Sequence, residues 1–129
     1  MQHALVTGYL ALTALFFLYT AWSSATAPEA FASRLGLTLA NAGGFNEIRS
    51  QYAGFFLAAA VLCVLALISA VPLATGLVML AVIFGGLIVG RLISLVLNGG
   101  VSGFGPAIRA LYVIDGVGFI AAASLLVTA

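Results

Sequence analysis

The sequence predicts an all-α protein, an integral membrane four-helix bundle, and three observations carry that reading. Of 129 residues, 64% are hydrophobic and 5% charged, and the mean hydropathy is +1.30. Soluble domains carry about a quarter charged residues, so four arginines and three acidic residues cannot clothe a water-facing surface. The apolar residues fall into four runs, each long enough for the roughly 20 residues that cross a bilayer core, with helix breakers between them. The runs lack the alternation of a barrel strand and are about twice as long as one. Helices that satisfy their own backbone remain, and residues 1–129 form a single transmembrane domain with no room for a soluble one.

The first run covers residues 3–22. It reads as a span and not as a cleaved signal peptide, although Ala25-Thr26-Ala27 resembles a cleavage site. The n-region offers only His3, with no Lys or Arg, and Pro28 hinders cleavage after Ala27. Between the first two runs, Thr26-Ala27-Pro28-Glu29 fits a capping box opening a short helix through Phe31, Arg34 and Leu35 to Gly36. Such a helix would lie in the headgroup layer; the alternative is an irregular loop with apolar anchors.

The second run, residues 47–70, takes Asn46 as its N-cap. Pro72 separates it from the third, residues 73–97, which Asn98-Gly99-Gly100 ends. Pro106 suits the first turn of the fourth run, residues 107–129. All four arginines, Arg34, Arg49, Arg91 and Arg109, lie on or near the side holding the two long loops. The positive-inside rule therefore puts those loops in the cytoplasm and both termini in the periplasm of a bacterial inner membrane. Tyr19, Trp22, Tyr52 and Tyr112 fall at the same level as an interfacial belt, and Tyr9 marks the outer edge.

Two ionisable residues lie deeper than loop charges do. Arg91 sits roughly 10 Å before Asn98, and Asp115 roughly 13 Å beyond Pro106. A lone charge at a helix centre costs about 2.5–3.5 kcal/mol on insertion scales, so opposite charges at matching depth on consecutive helices predict an Arg91–Asp115 ion pair. The alternative is that Arg91 snorkels to lipid phosphates. Spacing at 100° per residue puts Glu47, Gln51, Gly54 and Ala58 on one stripe of the second span, with Arg49 and Tyr52 projecting elsewhere. The third span groups Phe84, Leu87, Arg91, Ser94 and Asn98, and the fourth Asp115, Gly118, Phe119 and Ala122.

Glu47, Gln51, Arg91, Ser94 and Asp115 therefore line either a cytoplasm-facing pocket for a polar head on an apolar tail, a lipid or quinone, or a polar seam that ties helices together. Arg49 and Tyr52 are secondary members. Gly86 and Gly90 form a small-residue packing motif, as do Gly54 and Ala58. Such motifs pack helices of one chain by default, and Gly86 and Gly90 are also where a homo-oligomer or a larger membrane complex would form.

Several chemistries are disfavoured. The lone Cys63 lies mid-membrane and forms no internal disulfide, and His3 falls on the opposite face, so no nucleophile meets a base. Two carboxylates without a nearby histidine are a poor metal set. No lysine and a net charge of +1 argue against nucleic-acid binding. No catalytic residue and no resident cofactor are expected. The first reading is an accessory or scaffold subunit of a membrane complex, the second a lipid- or quinone-binding protein, and the third a small transporter, which the uncharged first span disfavours.

The segment Asn46-Glu47-Ile48-Arg49-Ser50-Gln51-Tyr52-Ala53-Gly54, then Phe84 to Leu92 with its glycines, then Asn98-Gly99, resembles a bacterial family of small four-helix membrane proteins catalogued as domain of unknown function 4345. The family pattern has Asn-Glu-x-Arg-x-x-Tyr-Gly-Gly opening helix two, Gly-Arg-Leu closing helix three and an acidic residue in helix four. Glu47, Arg49, Tyr52, Arg91 and Asp115 occupy the matching positions, and Ala53 departs from the usual glycine. The resemblance implies the architecture and the polar cluster, and no activity.

Overall fold

The computed structural model describes residues 1–128, which contain helices and no strand. In order these are α1 (Gln2–Thr26), α2 (Pro28–Arg34), α3 (Ala42–Leu67), α4 (Leu73–Leu97) and α5 (Pro106–Thr128). All but α2 are long and apolar enough to cross a membrane. The protein is an all-α, multi-pass four-helix membrane bundle with one short extra helix.

Most helix ends follow local chemistry. Pro106 opens α5 at its first position and Pro72 caps α4, because proline lacks the N–H that a first turn leaves unpaired anyway. α2 ends in a Schellman motif: Gly36 is left-handed at φ 76°, its N–H donates to Ser33 O, and the Leu37 N–H donates to Ala32 O. Glu29 in the first turn and Arg34 in the last complement the helix dipole.

Two boundaries differ from the sequence reading. The capping box at Thr26 does not form. Thr26 remains in α1, its hydroxyl donates back to Trp22 O at 2.8 Å, and Ala27 takes the cap position of α2 with no side-chain bond. A threonine hydroxyl already satisfied by its own helix has no reason to leave it. Asn46 is not a cap either. α3 starts a turn earlier, where Asn41 is extended and its side chain accepts from the Gly44 N–H at 3.2 Å. Two glycines in the first turn after that cap, Gly43 and Gly44, disguise the true start, since glycine is a poor helix former.

The buried residues of α1, Val6, Leu10, Thr13, Ala14, Phe17, Ala21 and Ser24, recur at three- and four-residue intervals. The opposite side carries exposed Leu5, Leu12, Leu15 and Trp22, apolar as a lipid-facing surface must be. Buried Thr13 and Ser24 donate to Tyr9 O and Thr20 O, so neither hydroxyl is left unpaired. Tyr9 is half-buried and faces a neighbouring helix. Its hydroxyl donates to Gly118 O at 2.7 Å, tying α1 to α5, because a half-buried phenol needs an acceptor.

α1 packs along α3 and α4 along α5, and these two pairs meet along a narrower seam. Leu10, Phe17, Cys63, Leu77 and Leu80 are fully buried in that seam. The buried residues of α4, Gly76, Leu77, Leu80 and Phe84, all belong to its first half. Tight packing thus fills the end of the bundle nearest Pro72, and the pairs part toward the two long loops.

The glycines that allow close packing are not those that the motifs suggest. A Cβ on Gly118 would lie 2.8 Å from the Phe84 ring, and one on Gly76 3.0 Å from Leu10. Gly86 and Gly90 are exposed with open space around them, and exposed Gly54 has only the carbonyl of Arg49 nearby. These three make no helix-to-helix contact within the chain, since each points away from the neighbouring helices. Gly118→Val is expected to lower stability by about 1–3 kcal/mol through overpacking against Phe84, whereas Gly86→Ala should cause no loss. Thermal unfolding of both variants in detergent checks the contrast; equal Tm values would contradict it.

Candidate functional site: a cleft between the helix pairs

Where the pairs part, they enclose a cleft of about 850 Å³, within the range of small-molecule sites. α1 supplies Phe16, Phe17, Tyr19, Thr20 and Ser23, α3 supplies Gln51, Tyr52, Phe55 and Phe56, and α4 supplies Phe84, Leu87 and Arg91. α5 contributes Ala107, Ile108, Ala110, Leu111 and Asp115, while Phe31 and Arg34 from α2 border the mouth.

The polar end of this cleft is the expected ion pair. Arg91 Nε donates to Asp115 Oδ2, joining α4 to α5. The Asp115 side chain is 4% exposed and that of Arg91 19%, so the carboxylate is the more deeply enclosed partner. Tyr112 adds two contacts. Its hydroxyl donates to Arg91 O at 2.9 Å, and its ring centre lies 5.5 Å from the Arg91 guanidinium carbon, within cation–π range. Tyr112 also stacks on Phe104, at 6.0 Å between ring centres. It therefore turns inward, unlike Tyr19 and Trp22, which are 61% and 71% exposed. The pull is chemical: a guanidinium face and an adjacent carbonyl satisfy both ends of the phenol.

Aromatic rings line the rest. Phe17 meets Phe56 edge-on at 5.0 Å and Phe84 at 5.9 Å. Tyr52 stacks on Phe56 at 6.2 Å with 18° between planes, and Phe31 closes on Tyr52 at 5.0 Å. The side chain of Phe31 thereby anchors α2 to α3.

The expected polar residues divide. Gln51, Arg91 and Asp115 line the cleft together. Glu47 and Ser94 do not: Glu47 is exposed, and Ser94 Oγ accepts from Asn98 Nδ2 at 3.1 Å on its own helix. Tyr52 lines the cleft although a 100° projection turns it aside. Arg49 stays outside, with Nε donating to Ala25 O at 3.4 Å and its guanidinium 5.9 Å from the Phe45 ring centre.

The cause is a π-helical segment, Arg49–Gly54, in which the Phe55 N–H donates to Ser50 O. Each such i→i+5 turn is wider than an α-turn, so residues after Arg49 lag behind their α-helical angles. That lag carries Tyr52 toward the stripe of Gln51, while Glu47, one turn nearer the loop, stays exposed. Arg34, Phe31 and Tyr112 are the neighbours that spacing alone did not assign to the site. Among the described residues, no three His, Cys, Asp or Glu side chains gather as a metal site would require.

Fold and site together define a small multi-pass membrane protein with a polar pair at the end of an aromatic-lined cleft. The chain belongs to the family described as Domain of unknown function (DUF4345), which matches residues 5–113. The match takes in α1 and α2, more than the motifs from Asn46 onward, and ends two residues before Asp115. No curated protein and no solved structure matches the chain.

Replacing Arg91 by methionine leaves the Asp115 carboxylate enclosed without its partner, a loss expected to cost about 3–5 kcal/mol. The double variant Arg91→Met, Asp115→Leu should recover most of that stability, because apolar pairs of similar volume replace buried ion pairs well. Reversible unfolding in mixed detergent micelles measures the cycle; a double variant no more stable than Arg91→Met would refute the pairing energy.

Proposed function

We propose that this chain is a non-enzymatic protein of the bacterial inner membrane that binds an amphipathic molecule, a lipid or a quinone, in the cleft between its helix pairs. The observation that carries this reading is the joint geometry of an 850 Å³ space and its lining: ring faces for an apolar body and the Arg91–Asp115 pair for a polar head. A purely structural polar seam needs the ion pair but no adjoining space, since packing would close around it. The transport reading has less support, because α1 carries no charge and each span is a continuous helix.

A second reading, an accessory or scaffold subunit, rests on exposed Gly86 and Gly90 with exposed Val82 and Val89 between the same turns of α4. A smooth face of this kind accepts another transmembrane helix, from a second copy or a larger complex. It is compatible with an occupied cleft on the other side of α4.

Native mass spectrometry of the protein from gently solubilised membranes tests the binding reading. One lipid- or quinone-sized adduct per chain is expected for the native chain and none for Ala110→Trp, which fills the cleft from α5 while leaving the ion pair in place. Adduct-free native protein, or an adduct indifferent to Ala110→Trp, would count against it.

Exposed Arg34, Arg49 and Arg109 at the loop end support an orientation with both long loops cytoplasmic and both chain ends periplasmic. In a Cys63→Ala background, Ser102→Cys should react with an impermeant maleimide only in inverted vesicles, and Ala70→Cys only in intact spheroplasts. The reverse pattern would invert the topology.

A further inference from the structure

Three features of the cleft bear on the charge and shape of what it would accept. This inference rests on the cleft being a ligand site. First, the positive charge at its polar end is already compensated, since Arg91 is paired with Asp115. An anionic head brought to that depth would carry uncompensated charge into a weakly polar space. The other cation bordering the cleft, Arg34, is exposed on α2 at the mouth, where solvent and salt screen it.

Second, the hydrogen-bonding groups left over are mostly donors. The Arg91 side chain bonds through Nε alone, so its terminal nitrogens donate to no protein group among the described residues. The Tyr112 hydroxyl is taken by the Arg91 carbonyl. The amide of Gln51 and the hydroxyl of Tyr52 line the cleft and have no protein partner among the described residues. Such a set calls for a ligand rich in acceptor oxygens and carrying no charge. Third, the half-buried rings of Tyr52 and Phe56 stand on one wall above a floor closed by the buried rings of Phe17 and Phe84, an aromatic setting that suits a flat ring.

We infer that the cleft selects an uncharged, planar, carbonyl-bearing ring on an apolar tail, the quinone class, over an anionic phospholipid headgroup. Arg91 and Gln51 donate to the ring oxygens, and Asp115 acts as a positioning residue that neutralises and orients Arg91.

The test uses the full chain, delipidated in a neutral detergent, with three probes: decylubiquinone, dioleoylglycerol and phosphatidylglycerol. Affinities are read by titration and occupancies by native mass spectrometry. Decylubiquinone is expected to bind at least about tenfold more tightly than either lipid, and Gln51→Leu to weaken it by about tenfold, the scale of one or two hydrogen bonds. Gln51 is exposed, so that variant should fold normally, with an unchanged Tm in the ligand-free state. A preference for phosphatidylglycerol that Arg34→Gln abolishes would overturn the headgroup assignment and leave the cleft reading standing. Equal binding of dioleoylglycerol and decylubiquinone would overturn it as well, because neither planarity nor ring carbonyls would then matter. Failure of all three probes to bind would overturn both readings.

Discussion

Two opposite charges have to neutralise one another before α4 and α5 can share the hydrocarbon region, and the loop-side half of the bundle is arranged around that requirement. An isolated arginine or aspartate at such depth is unfavourable in lipid, and the Arg91–Asp115 contact removes the penalty only by fixing the rotation of both helices. Once α4 is turned to bring Arg91 onto Asp115, Phe84 two turns earlier is turned onto Gly118. The glycine and the ion pair are thus one constraint expressed at two depths. Tyr112 reinforces it from α5 by holding both the backbone and the guanidinium of Arg91.

The other helix pair is shaped by a different device. α3 begins as an ordinary helix at its Asn41 cap and passes through the π-turns of Arg49–Gly54 before resuming α geometry. Wide turns are less favourable than α-turns and persist where packing compensates them. Here the compensation is aromatic. The segment lets Tyr52 stack on Phe56 and receive Phe31 from α2, while Arg49 swings outward to the carbonyl of Ala25 at the end of α1. A short helix that would be marginal alone is held by its Phe31 and by buried Pro28 and Ala32.

What the sequence discloses follows from what is local. The spans were legible because hydrophobic length, Pro72, Pro106 and Asn98-Gly99-Gly100 act within a few residues, and α4 runs over the residues that reading assigns it. The ion pair is legible by depth alone, since Arg91 and Asp115 are the arginine and the carboxylic acid that lie farthest from any loop. The place of Tyr52 is not recoverable, because a 100° projection assumes 3.6 residues per turn through a segment where the true winding is wider. Ser94 was drawn into the cluster by sharing the Arg91 face, but three residues nearer the loop it meets Asn98 first. The aromatic lining was hidden for a more general reason. In a chain apolar all round, periodicity no longer separates core-facing from lipid-facing residues, so Phe17 and Leu15 look alike although one is buried and the other 66% exposed. Gly118 and Gly86 present the same ambiguity, which only the neighbour of each can resolve.

The location of the cleft follows from where the strong contacts lie. Within each pair the helices touch over most of their length, whereas between pairs the contact narrows to the seam ending near Phe84. At its end the ring of Phe17 meets those of Phe56 and Phe84, and this group spans the two pairs without filling the space toward the loops. Closing that space would bury the unpaired donors of Gln51 and Tyr52 against apolar walls, a loss that hydrogen bonding could not recover. An opening bounded by packed aromatic rings, a neutralised charge pair and the polar ends of Gln51 and Tyr52 therefore follows from the packing on either side of it.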